Sequence, residues 1–121
     1  MDVARAVSNG YAVCVCSLQG FSMSRDEDGF CRPGGTWPHA MCICSIRWGK
    51  RPGALIVNSW GASNTVGKHY PENIPEPVRV CSFWADADVI DRMCRGEDTY
   101  TYAGYSGFKA TKIENWTGGT L

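Results

Sequence analysis

The sequence predicts an α+β domain, mostly antiparallel β with one or two short helices, and three observations point to that class. Glycine and proline supply 14 and 6 of the 121 residues and aromatic side chains 12%, a balance that suits a turn-rich sheet better than a helical bundle. Short apolar runs rich in β-branched residues recur between turn signals. Two segments alone, 2–8 and 86–95, read as helices. The length fits a single domain, placed at 1–110 and followed by a polar, Gly-rich tail at 111–121.

Each element has its own local reason. Asp2 to Ser8 forms a short helix, and Asn9-Gly10 stops it with the pair that best tolerates left-handed backbone. Tyr11 to Leu18 is a strand with Cys14 and Cys16 on one face, Val13 and Val15 on the other, and both faces expected to be buried. From Gln19 to Pro38 the rhythm disappears, and Arg25-Asp-Glu-Asp-Gly29 and Pro33-Gly-Gly35 mark a long loop of the kind that carries function. His39 to Ile46 and Ala54 to Trp60 are two further strands joined by a turn at 49–53.

Three prolines, Pro71, Pro75 and Pro77, make 62–77 irregular. Val78 to Trp84 reads as a strand. Asp86 to Arg95 places Val89, Ile90, Met93 and Cys94 on one helical face, with acids early, Arg95 late and Gly96 as the stop. Thr99 to Tyr105 alternates hydroxyl and aromatic side chains as a last strand.

Composition narrows the function classes. Twelve basic and twelve acidic residues balance to zero and are scattered along the chain, so nothing draws it electrostatically to nucleic acid or to a membrane surface. No apolar run is long enough to span a bilayer, and the first residues lack the order of a signal peptide. A cytoplasmic or virion-associated protein is expected. Seven cysteines, an odd number without an export signal, read as reduced thiols rather than a disulfide scaffold.

The chemistry concentrates in Trp37-Pro-His-Ala-Met41, which opens one strand, and Val57-Asn-Ser-Trp-Gly61, which ends the next. In that order and at that separation they resemble papain-like cysteine peptidases, whose catalytic histidine begins a strand as His-Ala and is oriented by the Asn of an Asn-Ser-Trp-Gly motif. The similarity runs from 2 to about 110 in this chain. It extends upstream through the short helix, the Asn-Gly break and the strand over 2–17, and downstream to Ser82-Phe-Trp-Ala-Asp86.

The resemblance implies a partly closed barrel, like the right-hand half of the papain-like fold, and it implies site roles. His39 would form an ion pair with a cysteine thiolate and later protonate the leaving amine. Asn58 would hold the imidazole in one orientation and tautomer without adding a competing charge. Trp60 would cover their hydrogen bond, and Gly61 would let the chain turn away.

One part of the family pattern is missing from this sequence. The nucleophile begins a long helix in a Cys-Gly-Ser-Cys-Trp-like motif a few residues after a glutamine, and no such segment occurs here. Gln19, the only glutamine, follows a strand. The second Trp-Gly pair that often follows Asn-Ser-Trp-Gly is also missing between Ala62 and Pro77.

The chain is therefore expected to be the His- and Asn-bearing half of a thiol peptidase acting on a peptide or protein. Its nucleophile would come from a complementary N-terminal half on a missing or separate segment. The alternative is an inactive papain-like module with a binding or structural role in a phage or bacterial assembly, monomeric or self-associated. Cys31, in the loop before His39, is the internal candidate for a substitute nucleophile.

Other patterns read as structure. Cys14-Val-Cys16 and Cys42-Ile-Cys44 could suggest a zinc site, but strand neighbours two apart lie about 6.5 to 7 Å apart, too far for tetrahedral thiolates without a bulge. Small buried side chains are the simpler account. Asp26-Glu-Asp28-Gly29 resembles a calcium loop without its closing Glu and reads as a solvated turn. His69 reads as a surface residue. No cofactor or metal is expected.

Overall fold

The computed structural model describes residues 3–58, 67, 69–96 and 99–101. In chain order these form α1 (Val3–Ser8), β1 (Val13–Phe21), β2 (Pro33–Arg47), β3 (Gly53–Val57), α2 (Glu76–Arg79), β4 (Ser82–Asp86), α3 (Ala87–Gly96) and β5 (Thr99–Thr101). The strands make one sheet, ordered β4-β3-β2-β1-β5, with every neighbouring pair antiparallel.

The α+β class holds, but the described strands do not close into a barrel: β4 and β5 are opposite edges of an open sheet. The β4 edge is occupied by a loop instead of a closing strand. Cys31 N donates to Trp84 O and Trp84 N donates to Gly29 O, each at 3.0 Å. Those groups are then unavailable to another strand.

Helix α1 ends as its Asn-Gly pair predicts. Gly10 has φ +87°, and Gly10 N and Tyr11 N donate to Val7 O at 2.9 Å and Ala6 O at 3.0 Å, the two bonds that close a helix with a left-handed residue. In β1 one face is buried through Val13, Val15 and Ser17. The other is not, since Cys14 and Cys16 are half-buried and Leu18 is 52% exposed. The sequence expectation of two buried faces is corrected to one.

The expected loop over 19–38 is largely strand. Gln19 pairs with Thr36 and Phe21 with Pro33, through two register shifts, so only 22–32 loops out. Aromatic packing replaces the missing apolar alternation. The Trp37 indole occupies the space that a Cβ on Gly20 would need, and its ring meets Phe21 edge-on.

The remaining loop is pinned by two arginines. Arg25, 4% exposed, donates from Nε to Ser82 O at 2.9 Å and from its terminal nitrogens to Val80 O at 3.0 Å and Gly67 O at 3.3 Å. Burial pushes its pKa down, and the three carbonyls offset that cost by taking up its N–H groups. Arg51 grips Asp26 and Asp28 from the β2–β3 turn. The Asp26 turn is thus an ion-paired clamp rather than a purely solvated one.

Two further boundaries differ. Residues 76–79 form the one-turn helix α2, with Pro75 capping it and Pro77 in its first turn, where no amide donor is needed. The following strand therefore starts at Ser82 instead of Val78. Helix α3 lies where its periodicity predicts, burying Val89, Ile90 and Met93 against the sheet with Cys94 half-buried. Together with α1 it covers a core that includes Val13, Val15, Phe21, Ile43, Ile56 and Phe83.

On the reverse face Phe30, Leu55 and Trp84 make a smaller cluster. Of the last predicted strand only 99–101 is described, pairing with β1. The tail at 111–121 lies outside the described residues. None of the described helices is long and apolar enough to cross a membrane.

Candidate functional site

Strand register brings the two chemical residues together. His39 sits in β2 opposite Ser17 of β1, while Val57, the last residue of β3, pairs with Cys42. Continuing that register by one step sets Asn58 beside Met41, and His39 is the next residue along the same face of β2. Asn58 is 4% exposed, and its backbone N donates to Cys81 O at 3.1 Å, which fixes the residue just past the strand.

The side chains meet. His39 Nε2 lies 3.1 Å from Asn58 Oδ1. An amide oxygen can only accept, so the proton sits on Nε2, and in the neutral ring the lone pair sits on Nδ1. A half-buried imidazole in this tautomer carries at Nδ1 the lone pair that a general base uses.

Among the described residues the aromatic group beside the imidazole is Trp37, two residues before His39 on the same strand face, with ring centroids 6.3 Å apart and a tilt of 36°. The sequence motif Trp37-Pro-His-Ala-Met41 contains this residue but assigns it no role. The period-two spacing from His39 and the adjacent Gly20 strand were the signals that could have found it. Trp60, assigned the covering role, lies outside the described residues, as do Ser59 and Gly61.

Cys31 does not meet the requirements for a nucleophile. It is fully buried, and burial, only partly offset by the nearby Arg25 charge, pushes its thiol up to about 11. A reactive cysteine needs an accessible thiol with a depressed pKa. Partial burial also pushes Cys42 up, while Cys44 is exposed. Gln19 turns its Nε2 back onto its own strand, donating to Gly20 O at 2.8 Å.

Beside the His39 row an open cleft of about 340 Å³ is lined by Ser17, Leu18, Gln19, Thr36, Arg92 and Met93. Leu18, half-exposed, gives this end of the sheet an apolar rim. Among the described residues no three His, Cys, Asp or Glu side chains converge as a metal site. His69 is exposed. Compared with protein-family models, curated proteins and solved structures, the chain finds no match.

Proposed function

We propose that this chain supplies the general-base imidazole and its orienting amide for thiol-dependent peptide hydrolysis, with the nucleophilic cysteine on a separate segment. The observation that carries this is the 3.1 Å contact between His39 Nε2 and Asn58 Oδ1. It fixes the tautomer whose Nδ1 would exchange a proton with a thiol. A thiolate near Nδ1 would be held as an ion pair with the imidazolium, attack the peptide carbonyl, and leave the ring proton for the departing amine.

The substrate in this proposal is a peptide or protein lying between two half-domains, in a setting that keeps thiols reduced. The partner half would cover the end of the sheet that carries His39. Resemblance of the His-Ala and Asn-Ser-Trp-Gly segments to papain-like peptidases supports the same assignment.

A second proposal is an inactive module of the same ancestry with a binding role in a larger assembly. The burial of Cys31, the internal nucleophile candidate, is compatible with it for the chain in isolation. Peptide hydrolysis by the native assembly distinguishes the two. The peptidase proposal expects hydrolysis that is lost both on thiol alkylation and in His39→Ala. Hydrolysis indifferent to His39, or none at all, leaves the binding module.

A further inference from the structure

The reverse face of the sheet carries a second chemical arrangement that the histidine site does not use. Cys14 of β1 and Cys42 of β2 are direct partners in the antiparallel register. Both are half-buried thiols. Residues directly opposed in this way have Cα atoms about 4.5 to 5.5 Å apart, inside the range of about 4.4 to 6.8 Å that a disulfide spans. In the strand register of the described residues no other two cysteines face each other: Cys16 faces Ala40, and Cys44 falls in the irregularity between Ile43 and Ser45.

We propose that Cys14 and Cys42 are a redox modification site, closing to a disulfide that staples β1 to β2 when the protein meets a small-molecule disulfide such as oxidised glutathione. One thiolate attacks the glutathione disulfide, forming a mixed disulfide and releasing one reduced glutathione. The second protein thiolate attacks the mixed disulfide at the protein sulfur and releases the other glutathione. Two protein thiols are oxidised, one glutathione disulfide is reduced, and the two thiol protons pass to the departing glutathione thiolates.

The staple would act on the candidate site without occupying it. Cys42 is flanked by Cys14 on one side and Val57 on the other, and Val57 precedes Asn58. His39 lies three residues along the same strand, with its side chain on the opposite face. Linking Cys14 to Cys42 therefore fixes the row next to the His39 and Asn58 pair. Burial, and to a lesser degree the neighbouring Cys14 thiol, push Cys42 up from its ordinary pKa, so closure is slow at neutral pH and faster in mild alkali.

The test equilibrates the full native chain in glutathione buffers of increasing oxidised fraction, blocks remaining thiols, and maps linked peptides without reduction. The expected product is one linked pair containing Cys14 and Cys42, with a rise in Tm of roughly 10 °C. Cys14→Ser and Cys42→Ser each abolish the link and the rise, while Cys44→Ser retains both. Linkage to Cys16 or Cys44, glutathione adducts without a link, or thiols unlinked at the most oxidising ratio would overturn the proposal.

Discussion

The two ends of the β2–β3 hairpin hold polar groups of opposite character. At the turn, Arg51 reaches Asp86 at 2.8 and 3.0 Å, Asp26 at 2.8 Å and Asp28 at 3.1 Å, and its guanidinium lies 3.7 Å from the centre of the Phe30 ring. Hydrogen bonds that Arg51 donates to Asp86 outweigh partial burial and push its pKa further up, so this group never changes charge. At the open end, His39 meets the neutral amide of Asn58. A cluster whose charges saturate each other holds a loop in place, whereas a neutral amide orients an imidazole without setting a charge beside it.

The largest expected effect breaks the first end. Arg51→Ala leaves Asp26 and Asp86 without their cation and uncovers Phe30, and should destabilise the fold by about 2 kcal/mol, read by chemical denaturation. The His39 tautomer should not change. A shift at His39 would mean that the two ends are coupled through the hairpin.

Asn58→Ala should cost less stability, about 1 kcal/mol, since the neutral hydrogen bond to His39 is lost. Its effect on His39 should exceed its effect on folding, with the ring nitrogen signals moving toward a tautomer mixture in nitrogen-15 NMR. Retention of a single Nε2–H tautomer in this variant would sink the orienting role of Asn58.

A smaller effect appears with pH at the Arg51 end. Partial burial of Asp26 opposes its ionisation, but hydrogen bonds from Arg51 and from the Phe30 and Asp28 amides win, and its pKa falls below the ordinary aspartate value. Its stabilisation is therefore present above the unfolded-state pKa and lost as pH drops through the lower folded one. Stability curves of the wild type and Asp26→Asn should be separated at neutral pH and converge in acid. Curves that stay parallel would remove Asp26 from the clamp.

The open end was the more legible of the two in sequence. His39 and Asn58 stood at the ends of short apolar strands, and pairing those strands is enough to bring them together. Helix α3 was readable for a similar reason, because Val89, Ile90 and Met93 follow one period. The Arg51 end depends on contacts between residues distant in sequence, Arg51 with Asp26 and Asp86, which no local pattern announces. The same is true of Arg25, a charged loop residue buried only because carbonyls from 67, 80 and 82 converge on it.

The longer β1–β2 ladder was hidden for another reason. Gly20, Gly34 and Gly35 weaken strand propensity, while the feature that keeps those residues in the ladder is Trp37 lying over Gly20. The burial of Cys31 is not legible either, because a polar loop surrounds it in sequence, while its amide is tied to Trp84 and its thiol lies inside the fold. The barrel was expected from family likeness, and the 29–31 segment on the β4 edge is what the likeness did not convey.

The most direct test of His39 as a catalytic base is the alkylation rate of every thiol in the native assembly as a function of pH, with His39→Ala as control. The account predicts one thiol, outside this chain, that reacts fast even at about pH 5 and loses that reactivity in the variant. If every thiol behaves as an ordinary or buried cysteine in both proteins, no thiolate and imidazolium pair exists, and the catalytic role of His39 is contradicted.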